Sequence, residues 1–110
     1  MGGGGALCEA GAVRRAVIFG PEAQEELDEA YAWYESLLEG LGDELLIELR
    51  RILDGVQIFP DAYPLVYQHF RRALVPRFPY SIYYRASADQ IEVVAVYHGH
   101  RRPSGWRDRL

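Results

Sequence analysis

The last third of this 110-residue chain holds residue types that carry acid–base and phosphate chemistry. An imidazole titrates near neutral pH, so His98 and His100 are candidates for a general acid or base. Tyr83 and Tyr97 could stack on a base or donate a proton. An arginine presents N–H donors in a planar fork that matches a phosphate group. The candidate phosphate ligands are Arg85, Arg101 and Arg102.

The formal net charge of −4 is divided unevenly along the chain. Residues 1–70 carry four arginines against thirteen acidic residues, a formal charge of −9, whereas residues 71–110 carry eight arginines against three, a formal charge of +5. GC-rich coding would explain why every basic residue is an arginine, but it does not explain why the arginines gather in the last third. The pattern therefore indicates a local basic patch on an acidic protein.

No feature of the sequence predicts a cofactor, a metal or a membrane span. Three histidines and Cys8 do not form a standard ligand spacing, and Gly2–Gly5 precedes no phosphate-binding strand–helix unit. No apolar run approaches the roughly 20 residues that span a bilayer. The unpaired Cys8 suits a reducing compartment. We predict a cytoplasmic protein without a cofactor, in which residues 1–12 form a flexible Gly-rich leader.

The first half of the chain is patterned as a strand and two helices. The β-branched run from Ala12 to Phe19 predicts a strand, and Pro21 suits the first turn of a helix. Gly40 and Gly42 separate two stretches whose apolar residues recur at helical spacing, which predicts a helical hairpin. The apolar stripes are Leu27, Ala30, Tyr31, Tyr34, Leu37 and Leu38, then Leu45, Leu46, Leu49, Ile52, Leu53 and Val56.

After a turn-rich connection the pattern changes to extended runs at 66–75, 80–86 and 91–98, and then to a polar tail at 99–110 that we expect to be partly extended. Alternation places Tyr80, Ile82 and Tyr84 on one face of the second run, with both tyrosines in the core, and Ser81, Tyr83 and Arg85 on the other. It likewise groups Ile91, Val93, Ala95 and Tyr97 on one face of the third run. The four-residue link at 87–90 predicts an antiparallel hairpin. The order β-α-α-β-β-β predicts an α+β fold, with the N-terminal strand and helical hairpin packed on a largely antiparallel sheet.

Two motifs in these last strands resemble a known family. The run from Arg77 to Tyr84 reads RFPYxIxY, and the run from Ile91 to Trp106 reads IxVxAVxHxxRxPxxW. Together with the order of the helices, they resemble the RelE/ParE superfamily of type II toxin–antitoxin toxins, in its ParE-like (plasmid stabilisation) branch. The resemblance spans residues 13–106, which we take as the toxin domain, and leaves 107–110 as a polar tail.

The resemblance implies a toxin with a cognate antitoxin as its partner, which wraps the toxin with its C-terminal segment. It also implies two alternative targets, because RelE-type members cleave mRNA in the ribosomal decoding site whereas ParE-type members poison DNA gyrase. We predict a ParE-like toxin with gyrase as its target. A ribosome-dependent mRNA endonuclease and an orphan toxin that has lost its lethality are the alternatives, so whether the chain is an enzyme stays open.

The candidate catalytic residues of the endonuclease alternative are His98, Arg85 and Arg101. In the cleaving branch an arginine that serves the scissile phosphate commonly occupies the position of Ser81, and a serine cannot supply that charge. Arg101 matches the second basic position of that branch, but no tyrosine follows at the family's spacing, where Trp106 lies instead. These departures, and an acidic chain that steers only weakly toward RNA, favour a protein target.

We expect the arginine-rich sheet face and the tail to contact the target and the antitoxin. Exposed Tyr83 and Trp106, beside the arginines, offer sites for an acidic amphipathic segment that folds on binding. Structural roles compete with this interpretation: a hydrogen-bonding role for His98, pairing of Arg71 and Arg72 with acids of the helices, and anchoring of the tail by Trp106. The predicted contact residues are Arg72, Arg77, Tyr83, Arg85, His98, Arg101, Arg102 and Trp106.

Overall fold

The computed structural model describes residues 14–102 and 104–110. The predicted leader at 1–12 and the start of the predicted first strand lie outside the described residues. The elements in chain order are β1 (Ala16–Phe19), α1 (Pro21–Leu37), α2 (Leu41–Ile58), a 3-10 turn (Pro60–Ala62), β2 (Leu65–Tyr67), β3 (Phe70–Leu74), β4 (Tyr80–Ala86), β5 (Gln90–His98) and a second 3-10 turn (Gly105–Arg109).

The predicted helical hairpin is confirmed, and its tight turn has a clear physical basis. Gly40 adopts φ 90°, in the left-handed region that glycine tolerates best. A Cβ atom on Gly42 would lie 2.8 Å from the carbonyl oxygen of Tyr31, so the two helices approach too closely for a side chain there. The Glu35 carboxylate accepts the backbone N–H groups of Gly40 and Gly42 at 2.9 and 2.8 Å, which caps the start of α2.

The strands form one five-stranded sheet in the order β1-β5-β4-β3-β2. Among the strands that the structure describes, β1 and β5 alone pair in parallel, so the prediction of a largely antiparallel α+β fold is confirmed. The predicted single run at 66–75 is instead two strands, because the chain turns at Gln68, which has φ 52°. The helices pack on one face of the sheet; we call the opposite face the open face.

A β-bulge at Val94 changes which side chains of β5 meet the helices. Tyr84 pairs with Val93 but Tyr83 pairs with Ala95, so one extra residue is inserted in β5. Val93 therefore faces the helices, whereas Ala95 lies on the open face. The prediction that Ile91, Val93, Ala95 and Tyr97 share one face is wrong for this reason. The predicted alternation of β4 is confirmed, with Tyr84 fully buried and Tyr80 packed against the core on the helix side.

The tail folds back as a 3-10 turn instead of remaining extended, and it covers part of the open face. The indole of Trp106 is 0% exposed and packs among Phe70, Tyr83 and Tyr97, with its ring centroid 4.9 Å from that of Tyr83. Trp106 therefore anchors the tail, as one interpretation of the sequence proposed. The expectation that Tyr83 and Trp106 are exposed is wrong, because each of these rings buries the other.

Removing one buried hydroxyl tests how the sheet is joined to the end of α2. The Tyr84 hydroxyl donates to the carbonyl oxygen of Pro60 at 2.6 Å. We expect Tyr84→Phe to lower the free energy of unfolding by about 1–3 kcal/mol, because a buried carbonyl loses its partner. Tyr31→Phe is the control, since its hydroxyl meets Asp43 at an exposed position and its loss should cost about 0.5 kcal/mol or less. Urea denaturation measures both, and equal losses would contradict the assignment.

Candidate functional site

The structure distributes the predicted contact residues over three places. One group is on the open face, where Arg72 pairs across the strands with Tyr83. A second group lies at the end of β5 and just after it, and one arginine lies against α2. The open-face group comprises Arg72, Tyr83, Arg85 and Trp106. The group at the end of β5 comprises His98, Arg101 and Arg102, and the arginine against α2 is Arg77.

His98 and Arg101 share a cleft of about 260 Å³ between α1 and the end of β5, which we call the α1 cleft. The His98 ring stands edge-on to Tyr80, with 5.1 Å between centroids. Its Nδ1 accepts the backbone N–H of His100 at 3.0 Å, so the proton of a neutral ring resides on Nε2. His98 therefore has the structural hydrogen-bonding role that the sequence analysis considered for it. The other residues lining the cleft are Glu26, Glu29, Ala30, Trp33 and Val96.

Arg101 is held in place at the rim of the α1 cleft. One terminal nitrogen donates to Oε2 of Glu26 at 2.8 Å, and the other lies 3.4 Å from the hydroxyl of Tyr97. The guanidinium carbon lies 3.9 Å from the centroid of the Tyr97 ring, in cation–π geometry. The side chain is nevertheless 51% exposed, so a fixed cation faces solvent here.

Glu26 is the acceptor that joins these groups, and sequence reasoning missed it. Its carboxylate is 11% exposed and accepts hydrogen bonds from Arg101, from Arg109 and, at 3.0 Å, from the backbone N–H of Val96. Burial raises the pKa of Glu26, but the hydrogen bond from Arg109, the Val96 N–H and the two guanidinium groups outweigh it and hold the pKa below its ordinary value. Its spacing from Ala23 and Ala30, three and four residues away, was the available signal that it points inward.

Two of the other predicted arginines are also paired with acids of the chain itself. Arg85 donates to Glu92 on the neighbouring strand at 2.7 Å. Arg77 bridges Glu44 and Glu48 on α2, each at 3.0 Å, and the Glu48 side chain is only 7% exposed. Part of the positive charge of the last third is therefore neutralised where it lies.

Arg72 and Arg102 have no acidic partner among the residues that the structure describes. The expected pairing of Arg71 and Arg72 with acids of α1 and α2 is not found in the described residues: Arg71 lies 3.5 Å from Asp61, in the 3-10 turn that follows α2. The Nε atom of Arg72 is buried without an acceptor in the described part of the chain, as is Nε1 of Trp106. The open face thus contains a cation with an unused donor.

The three catalytic candidates are not brought together. His98 and Arg101 line the α1 cleft, but Arg85 lies on the open face and pairs with Glu92. Glu92 precedes His98 by six residues of β5, which is roughly 20 Å at the rise of a strand. Arg85 is therefore remote from the other two.

The described residues offer no group of three or more His, Cys, Asp or Glu side chains suited to a metal ion. Within the same residues, no helix combines the length and apolar character needed to cross a membrane.

The fold belongs to a class of small α+β domains in which a helical hairpin packs on a mainly antiparallel sheet. The family model of the ParE toxin of type II toxin–antitoxin systems, parDE, matches residues 17–103, and the chain belongs to this family. A solved structure of the chromosomal ParDE toxin–antitoxin system from P. aeruginosa has the same fold, with a TM-score of 0.66 and 16% identity over 77% of this chain and 96% of that one. No curated protein matches the chain.

Lowering the pH should release Arg109 and the tail from α1 by protonating Glu26. A carboxylate with a lowered pKa stabilises the fold above its unfolded value, near 4.5, and this contribution is lost as the pH falls through the lowered pKa. In a Trp33→Phe background Trp106 is the only tryptophan. We expect its emission to shift to the red only as the pH falls below 4.5 and through the lowered pKa of Glu26, where Glu26 becomes protonated and releases Arg109.

Two variants identify the titrating group in that measurement. Glu26→Gln should remove the acid transition of Trp106. Glu35→Gln should retain it, although the backbone N–H of Gly40 also lowers the pKa of Glu35, because Glu35 belongs to the helical hairpin. A transition that survives Glu26→Gln unchanged would show that another group controls the tail.

Proposed function

We propose that this ParE-family toxin acts by binding DNA gyrase and is neutralised by a cognate antitoxin. The observation that carries the choice of target is the separation of the acid–base and phosphate-binding candidates. A ribonuclease needs a proton-transfer group and cations around one phosphate. Here Arg85 lies on the open face, whereas His98 lies in the α1 cleft.

The distribution of charge supports a protein target. A ligand of ribosomal RNA works in a dense phosphate field and gains from many free cations. This chain has a net charge of −4, and Arg77, Arg85 and Arg101 are each paired with a glutamate of the chain itself. Paired arginines at a half-exposed position suit a protein surface, where planar hydrogen bonding and apolar contact both contribute.

An antitoxin that wraps the toxin would find its complement on the open face. Arg72 has no acidic partner in the described residues, and Leu74, two residues further along β3, is 63% exposed. Alternate residues of a strand share a face, so a cation and an apolar side chain lie together there. An acidic amphipathic segment matches that pair. Because Tyr83 and Trp106 are buried, Leu74 replaces them as the apolar contact in this proposal.

One observation favours the alternative function of a ribosome-dependent mRNA endonuclease. His98 and Arg101 do share a cleft, and they could serve as a proton donor and a phosphate ligand without Arg85. An orphan toxin without lethality is the remaining alternative, and both alternatives have distinct outcomes in the experiment below.

Induced expression in a bacterial host, with mapping of mRNA ends and a supercoiling assay on purified protein, tests the target. We expect growth arrest, intact mRNA and inhibited gyrase. Arg101→Ala should weaken gyrase inhibition about tenfold or more, as for an interface arginine that dominates binding. Arg50→Ala removes an exposed arginine of α2 and is the matched control. Codon-aligned cuts in translated mRNA would replace gyrase by the ribosome as the target, and growth without arrest would indicate an orphan.

A separate binding experiment tests the antitoxin surface. We expect the product of the adjacent small gene to bind the toxin and to relieve growth arrest. Arg72→Glu should weaken that binding about tenfold, because it places like charge against an acidic segment, whereas Arg50→Glu should not. Isothermal titration calorimetry measures both affinities. A toxin that stays monomeric in the presence of that product would contradict this part of the proposal.

A further inference from the structure

We infer that Glu26 is the positioning residue of the toxin's contact surface: it fixes the guanidinium of Arg101 over the ring of Tyr97 and ties the C-terminal segment, residues 104–110, to α1. The inference rests on the proposed function in one respect only, namely that Arg101 contacts the target. Glu26 is nearly buried and acts through Arg101 instead of through a contact of its own.

The need for an acceptor at this point arises from the unequal lengths of two strands. β5 has nine residues but β1, its parallel neighbour, has only four. The last sheet contact on that side is the hydrogen bond from the N–H of Gly20 to the carbonyl oxygen of Val93, at 2.9 Å. Beyond it the backbone of β5 has polar groups that no strand of the described residues 14–102 and 104–110 pairs with, and such groups are costly to bury unpaired.

Side chains provide hydrogen-bond partners for the backbone groups of β5 that lie beyond the end of β1. Oε1 of Glu26 accepts the N–H of Val96 at 3.0 Å, and a terminal nitrogen of Arg109 donates to the carbonyl oxygen of Val94 at 2.9 Å. Arg109 also pairs with Glu26 through both of its terminal nitrogens. The carboxylate therefore stands where α1, the bulged edge of β5 and the C-terminal segment meet.

Geometry limits where Arg101 can lie once Glu26 is in place. One terminal nitrogen is bound to Glu26 and the other lies 3.4 Å from the hydroxyl of Tyr97, while the guanidinium carbon lies 3.9 Å from the centroid of the Tyr97 ring. A guanidinium has five N–H donors, so donors remain available to a partner. Because the Arg101 side chain is already held in one conformation, less rotamer entropy is lost when a partner binds.

Stability alone is a weak reason for this arrangement. A nearly buried ion pair offsets most of its attraction against desolvation, and apolar residues of similar volume often stabilise a fold as well or better. A leucine at position 26 would continue the stripe formed by Ala23 and Ala30. Besides accepting the N–H of Val96, the carboxylate supplies a fixed location for two guanidinium groups, which an apolar side chain cannot do.

The test compares Glu26→Gln, which keeps the size and one acceptor but loses the charge, with Glu25→Gln, which removes the same charge from the adjacent exposed position. The first readout is the NMR spectrum of the Arg101 side chain, whose protons are shifted upfield by the Tyr97 ring beneath them. We expect Glu26→Gln to move these signals toward random-coil positions and Glu25→Gln to leave them unchanged. Circular dichroism verifies that both variants are folded.

The second readout is gyrase inhibition by Glu26→Gln, Arg101→Ala and the double variant. We expect each single change to weaken inhibition by about tenfold, as for the loss of a charge-assisted hydrogen bond, and the double variant to be no weaker than either. Additive losses, or Arg101 signals that stay in place in Glu26→Gln, would overturn the inference. A wild-type protein that does not inhibit gyrase would refute the proposed target alone, because the NMR comparison judges the role of Glu26 without reference to activity.

Should Glu26→Gln fail to fold, Arg109→Ala provides the matching measurement. It leaves the contact of Glu26 with Arg101 intact while freeing the C-terminal segment. We expect the Arg101 signals to stay shifted and the emission of Trp106, in the Trp33→Phe background, to move to the red. Loss of the Arg101 shift in this variant would overturn the inference, because it would mean that the C-terminal segment, and not Glu26, sets the position of Arg101.

Discussion

The constraint on which the rest of this structure depends is the edge of β5 that β1 does not reach, where backbone polar groups need partners other than a strand. A backbone with no neighbouring strand needs other partners, and here the partners are charged side chains of a helix and of the tail. The bulge at Val94 falls at this point and rotates the remainder of β5, which sends Tyr97 to the open face and Val96 toward α1. The ring beneath Arg101, the buried site of Trp106 and the pairing of Arg109 all follow from that one local irregularity.

Ion pairs within the chain also reduce the positive surface charge that the cluster of arginines suggests. Counting residues suggests a basic surface, but glutamates from α1, α2 and β5 meet Arg101, Arg77 and Arg85 individually. Acidic residues of α1 and α2 therefore neutralise part of the positive charge of the last third, and Glu92 neutralises Arg85 within it. The surface therefore offers a partner oriented hydrogen-bond donors and little unpaired positive charge. Such a surface is suited to recognising shape and planar groups.

The fold was predictable from the sequence because its signals are local and repeat along the chain. The stripes of α1 and α2, the hairpin at 87–90 and the alternation of β4 each specify an element directly. The bulge was not predictable, since Val94 differs in no way from its neighbours in a run of β-branched residues. The burial of Tyr83 and Trp106 was missed because it depends on a tail that folds back. The inward position of Glu26 could be predicted from its spacing relative to Ala23 and Ala30, but its partners could not, because they lie 70 or more positions away.

Those long separations in sequence have a consequence for how the protein folds during its synthesis. β1 pairs with the strand that begins at Gln90, and Glu26 meets Arg109, which lies 83 residues further along the chain. During synthesis the first strand and first helix emerge while most of their partners are still unmade, and contacts between distant parts of a chain form late. Glu26 therefore has none of its long-range partners until β5 and residues 101 and 109 have been made and have folded back on α1.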